Sequence, residues 1–180
     1  MFSGFVSLCK KTFGLLAILS LFPAAAFAVD TERLLNYRHW YVQVVSFDDG
    51  TLACEASVQG DTESFSIWTY PDKTVEIQFY LENKWFGEEE TNNDIEVEID
   101  RRGAWDMTAA VFYKNSIFFT LPSDNWDLAM DFVGEVARGN RLYLRNNVGA
   151  EQAWFSLAGS SRSIGVLAEC QDLLAKSGGW

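Results

Sequence analysis

The sequence predicts a mainly β protein: an antiparallel β-sandwich or flattened barrel of about nine short strands, with one inserted helix and a C-terminal helix. Three observations lead there. Apolar and polar residues alternate with a period of two in run after run, as half-buried strands require. Asp48-Asp49-Gly50 joins two such runs, and Asp-Gly is a hairpin turn because glycine reaches positive φ without a Cβ clash. Brief polar turns separate most of the runs, which is the spacing of a sandwich or barrel.

The first segment reads as an address. Met1 to Lys11 carries two positive charges, Phe13 to Phe22 is apolar apart from Gly14 and Ser20, and the stretch to Ala28 ends in Ala-Phe-Ala. That pattern predicts a signal peptide over residues 1–28, cleaved after Ala28, and one β-rich domain over residues 29–180. A membrane anchor would need about 20 consecutive apolar residues, roughly twice this run, so no stable span is expected after cleavage. Cys9 precedes the apolar run and cannot serve as a lipoprotein cysteine.

Strands are expected at 40–47 and 51–58 around the Asp-Gly turn, then at 64–70, ended by Pro71, and at 74–81, where Val75, Ile77, Phe79 and Leu81 alternate. The run 95–99 alternates Ile95, Val97 and Ile99 with Glu96 and Glu98 toward water. Runs 107–113 and 116–121 pair around Lys114-Asn115, and 141–145 and 152–157 complete the nine. A helix over 124–137 is expected with Ser123 as its cap, Asp124 and Asp127 in its first turn, and Arg138 and Gly139 at its end. Its apolar face holds Trp126, Ala129, Met130, Val133 and Val136. A second helix over 161–176 has a dry side of Ile164, Val166, Leu167, Cys170, Leu173 and Leu174 opposite Arg162, Gly165, Glu169, Asp172 and Lys176.

Composition narrows the function classes. Against 14 basic residues stand 25 acidic ones, a net charge of −11 that becomes −13 when Lys10 and Lys11 leave with the signal, and such a surface repels nucleic acid and anionic lipid. A single histidine, His39, and three cysteines leave little material for a zinc site or a Ser-His-Asp triad. Neither a metal nor another cofactor is expected. After cleavage only Cys54 and Cys170 remain, and an even pair in an oxidising compartment predicts a Cys54–Cys170 disulfide.

Trp40, then Cys54 fourteen residues on, then β-alternation, then Phe155-Ser156-Leu157-Ala158-Gly159-Ser160-Ser161 running through a helix to Cys170, resembles the invasion-associated locus B family of secreted bacterial proteins. The likeness covers most of the mature domain. It departs from the family's pattern at the first strand, where His39-Trp40-Tyr41 replaces a Gly-Asp-Trp type of start. The resemblance implies a periplasmic or secreted β-rich domain, a role in host interaction, and no enzymatic site to carry over.

Candidate site residues are therefore sought on the surface. Trp85 and Phe86 sit in the Asn83–Gly87 turn, where rings either fold back over the end of the sandwich or anchor a partner. Glu88, Glu89 and Glu90 begin an acidic loop tip running to Asp94, which lacks the ligand spacing and central glycine of an EF-hand loop. Trp180 ends a Ser-Gly-Gly tail whose ring either docks on the domain or offers a handle to another protein. Trp105 and Trp126 are assigned to the core. The leading expectation is a non-enzymatic exported binding domain whose partner is a protein of basic character, attracted by the acidic surface. Two alternatives stand beside it: a small carboxylate-dependent hydrolase of cell-wall glycan using Glu96, Glu98 and Asp100, and a structural envelope component.

Overall fold

A computed structural model describes residues 30–121 and 123–176; the expected signal peptide and Trp180 lie outside the described residues. In chain order the elements are β1 (Asp30–Tyr37), β2 (Trp40–Ser46), β3 (Leu52–Gln59), β4 (Glu63–Thr69), β5 (Val75–Leu81), β6 (Thr91–Ile99), β7 (Trp105–Tyr113) and β8 (Ser116–Leu121). A short 3-10 turn (Ser123–Asn125) leads into α1 (Trp126–Arg138), followed by β9 (Arg141–Asn146), β10 (Glu151–Ser156) and α2 (Ser160–Lys176). The ten strands form one antiparallel sheet in the order β1-β2-β3-β4-β5-β8-β7-β6-β9-β10. The mainly β architecture with one inserted and one terminal helix is thus as expected, and the sheet curls without closing.

Local chemistry accounts for most elements. The Asp48–Gly50 turn forms as the sequence requires, with Gly50 at φ 83° and β2 and β3 in unbroken register from Trp40↔Val58 to Ser46↔Leu52. The chain differs from expectation in several places. There are ten strands among the described residues, because Asp30–Tyr37 pairs along β2 as an edge strand. Its side chains are mostly exposed on both faces, so no apolar alternation marks it. Strand β6 starts at Thr91, four residues before Ile95, so Thr91–Asp94 belongs to the sheet and not to an acidic loop. Asn125, not Ser123, caps α1, its side chain accepting from the Leu128 N–H at 3.4 Å. On α1, Phe132 is fully buried although its ring escaped the sequence reading, and Trp126 and Met130 are only partly covered. Trp105 is likewise half-buried, its indole N–H donating to Glu135 at 2.7 Å. On α2, Leu173 is 67% exposed and not on the dry side. The buried stripe runs Ser160, Ser163, Leu167, Cys170, Gln171 and Leu174 at helical spacing, and Leu173 falls beyond its edge.

The core lies inside the curl. Trp40 on β2 meets Phe65 on β4 edge-on at 6.2 Å, and Phe65 stacks on Phe79 of β5 at 5.3 Å. Phe155 on β10 reaches both rings at 5.9 Å, so the far end of the sheet folds back over its first half. Helix α2 covers the remaining opening. The Cys54–Cys170 disulfide ties it to β3 across a sequence separation of 116, with Cα atoms 6.1 Å apart, and the Ser160 hydroxyl donates to the Val136 carbonyl at the end of α1 at 2.9 Å. Gly139 lies where α1 turns into β9, so close to its neighbours that a Cβ there would meet Ile99 at 2.6 Å and Leu157 at 2.7 Å.

Closing a loop of this length lowers the entropy of the unfolded chain by an amount worth about 4 to 5 kcal/mol. Cys170→Ser is therefore expected to lower unfolding free energy by several kcal/mol in urea titrations, and an unchanged midpoint would contradict this. Gly139→Ala is expected to cost about 1 to 3 kcal/mol by overpacking, read from the same titration, because both atoms met belong to buried branched side chains.

Candidate functional site

The strand order creates the site. Strands β6, β7 and β8 run as a meander whose last strand lies beside β5, so the chain leaving β5 crosses the tip of the β7–β8 hairpin before entering β6. The crossing segment is the loop 82–90. Asn115 in the hairpin turn holds it, its side-chain amide reaching the carbonyls of Leu81, Glu82 and Lys84 at 3.4, 3.0 and 2.5 Å. The Phe86 N–H donates to the Lys114 carbonyl at 2.7 Å, and the Lys114 N–H to the Gly87 carbonyl at 2.9 Å. The Lys84 ammonium reaches Gln152 on β10 at 2.8 Å.

Within this loop the sequence-predicted residues separate. Trp85 is 59% exposed although the backbone is pinned at both of its neighbours. Phe86 turns inward and meets Phe112 edge-on at 4.9 Å. Glu88 lies 3.8 Å from Lys114, while Glu89 and Glu90 are exposed and form no ion pair with a described residue. The predicted surface therefore reduces to one ring and a row of carboxylates. Asn115 was read only as a turn residue, and no local pattern reveals that it holds a loop more than thirty positions away.

A second feature adjoins the loop. Strands β7 and β8 pair over only three rows, Val111↔Phe118 to Tyr113↔Ser116. Beyond them the strands part: Phe119–Leu121 stay with β5 and Trp105–Ala110 with β6. The parting opens a cleft of about 370 Å³ walled by Glu76, Glu90, Ala109, Val111, Phe119 and Thr120. Ala109 holds the left-handed φ of 59° at a β7 bulge, its N–H donated to the Asp94 carboxylate at 2.9 Å. Such strain costs an alanine of order 1 kcal/mol and collects near functional sites. Glu76 is half-buried on the wall, makes no hydrogen bond or ion pair with any described residue, and has its carboxyl pushed up by burial.

Glu55 on the same face of the sheet is the contrasting case. Only 5% exposed, it accepts from Gln43 at 2.7 Å, the Ser66 hydroxyl at 2.9 Å and the Tyr41 hydroxyl at 3.4 Å, with Arg33 stacked 3.9 Å over the Tyr41 ring. Burial raises its carboxyl above the ordinary 4.5, and the surrounding donors and the Arg33 charge pull it partly back. No alternation predicts a carboxylate there, since β3 is buried on both faces.

The other candidates sit apart. Glu98 is spent on Arg145 at 2.8 Å, and Asp100 accepts the backbone N–H groups of Asn140 and Arg141 at 3.0 and 2.9 Å, which with Arg102 outweighs its desolvation and lowers its carboxyl. Both are half-buried, as is Glu96, where alternation had them facing water. His39 is exposed in the β1–β2 turn, on a cleft of about 440 Å³ that also holds Asp61, Glu63 and Trp154. Among the described residues no three His, Cys, Asp or Glu side chains converge as a metal centre would need, and no helix is long and apolar enough to cross a membrane. No family model, curated protein or solved structure matches the chain.

The raised Glu55 carboxyl makes stability pH-dependent with a definite sign. The folded state keeps the proton to higher pH than the unfolded chain, so the group's contribution is full below about 4.5 and is lost as pH rises through the folded value. The stability of wild type relative to Glu55→Gln is expected to fall between pH 4.5 and 7.5 in urea titrations; a flat or rising difference would contradict it.

Proposed function

We propose that the protein is an exported, non-enzymatic binding domain of the bacterial envelope that engages a protein partner of basic character. Trp85 is the anchor and Glu88, Glu89 and Glu90 are the rim. The observation that carries this reading is the rigid display of Trp85. Hydrogen bonds hold the backbone on either side of it while the ring stays in water. An indole presented on a fixed backbone loses little conformational entropy on docking, and tryptophan is among the residues most often responsible for binding energy. The flanking carboxylates and the net charge of −11 draw a cation-bearing partner and raise its encounter rate. The disulfide and the described helices suit an extracytoplasmic setting. Resemblance to the invasion-associated locus B family extends the proposal to a partner on a host cell. The engagement of Glu98 and Asp100 in structural contacts favours binding over glycan hydrolysis.

An aromatic photo-crosslinking residue (benzoyl-phenylalanine) at position 85, which keeps a large ring at the anchor, is introduced in cells to test the proposal, with exposed Lys176 as the control position. A discrete adduct to a basic protein is expected from position 85 only, lost at 0.5 M salt and in the Glu88, Glu89, Glu90→Gln triple variant. Binding of that partner should fall about thirtyfold or more in Trp85→Ala. No adduct, or the same adduct from both positions, overturns it.

A further inference from the structure

We infer that the fork between β7 and β8 is a strand-addition site, at which an extended segment bearing Lys or Arg pairs with the open edge of β8. This rests on the reading of a basic partner and names the segment chemistry that the domain would take.

The first argument is the backbone. Phe119, Thr120 and Leu121 are laddered to Ile77, Glu76 and Val75 of β5, and on their other side no described residue pairs with them. Alternate N–H and C=O groups of this stretch therefore face the cleft, and an added strand would satisfy them. The second is how the other edges are treated. The outer edge β1 carries exposed Asp30, Glu32 and Arg33 and an irregularity between Arg33 and Leu35, and the opposite edge β10 has one between Glu151 and Ala153. Charges and bulges of that kind deter pairing with another chain. The β8 edge has neither: Phe119-Thr120-Leu121 carries no charge and its register with β5 is unbroken.

Charge identifies the occupant. Glu76 sits directly across from Thr120, so a residue opposite Thr120 on an added strand would stand two strand spacings, about 10 Å, from it on the same face. A lysine or arginine side chain spans most of that gap. Glu90 stands on the same cleft, and among the described residues no basic one lines it. Burial already disfavours the ionised Glu76, and an arriving cation supplies the partner that the fold withholds. The next position on the strand would point inward toward Phe119, so the fitting segment alternates basic and apolar residues.

A ten-residue peptide alternating Lys and Val, fluorescently labelled, is the probe. Saturable binding to the purified protein is expected, with slowed amide exchange at Phe119–Leu121. Glu76→Gln should weaken it about tenfold or more, and replacing Lys by Glu in the peptide should abolish it. Two further peptides, N-methylated at odd or at even positions, keep the side chains and remove one set of edge hydrogen bonds, so one of them should fail to bind. Absence of binding by the parent peptide, equal binding by both methylated forms, or indifference to Glu76→Gln overturns the inference. His39→Ala, at the separate cleft beside the β1–β2 turn, should leave peptide binding unchanged. A protein that crosslinks its partner at position 85 but ignores the peptide would keep the proposed function and lose the fork, and the reverse result would separate them the other way.

Discussion

The order β5-β8-β7-β6 in the middle of the sheet is the constraint from which the candidate binding surface follows. Laying β8 beside β5 reverses the meander, so the β5–β6 connection must pass over the β7–β8 turn instead of joining neighbours. A loop crossing a hairpin tip finds two strands' worth of turn polar groups beneath it, and Asn115 and Lys114 use them to fix it. Rigidity at residues 84 to 87 is thus a by-product of topology. The fork has the same origin, because β8 must follow β5 while β7 must follow β6, and the sheet's twist draws them apart once three rows have paired.

What holds that topology is a core enclosed from two directions. Phe155 folds the β10 end over Phe65 and Phe79, and α2 shuts the side that the sheet leaves open. Burying a large ring contributes about 1.5 to 3 kcal/mol, which is close in size to the entropy of ordering it, so the 116-residue clasp is a substantial share of what remains. The small buried residues Ser160 and Ser163 let α2 sit close against its neighbours, and Gly139 does the same for the α1–β9 corner. Each relies on a small side chain or none, which sequence periodicity does not register.

The sequence made the sheet legible where one face is wet and the other dry. Val75, Ile77, Phe79 and Leu81 alternate because β5 has a core face and an outer face. It hid β1, whose residues are wet on both sides, and misplaced the start of β6, where Thr91–Asp94 is exposed yet paired. Backbone hydrogen bonds, not burial, make those residues strand. The cysteine pair was legible because counting needs no geometry. Of the candidate site, the turn holding Trp85 and Phe86 was legible, but whether either ring stays in water or folds back was not, and the two could not be separated. Which of two adjacent rings turns inward depends on Phe112, a residue brought near only by the crossing. The fork was invisible, since both strands alternate well and nothing local says how far they pair.

Two acids on one sheet face show how the fold separates structure from site. Glu55 and Glu76 are both desolvated and both raised, yet Glu55 is ringed by Gln43, Ser66 and Tyr41 while Glu76 makes no hydrogen bond or ion pair with any described residue. A half-buried carboxylate without a hydrogen-bond or ion-pair partner costs free energy that an apolar side chain of similar size would avoid, so its presence is a net loss to the isolated domain. Glu55 offsets that loss internally through three donors. Glu76 stands where two strand edges are also unmatched, beside a strained Ala109, and all three deficits face the same cleft. Deficits scattered over a surface would be accidents of packing. Gathered on one cleft, they are complementary in charge and in hydrogen bonding to the extended basic segment proposed for it.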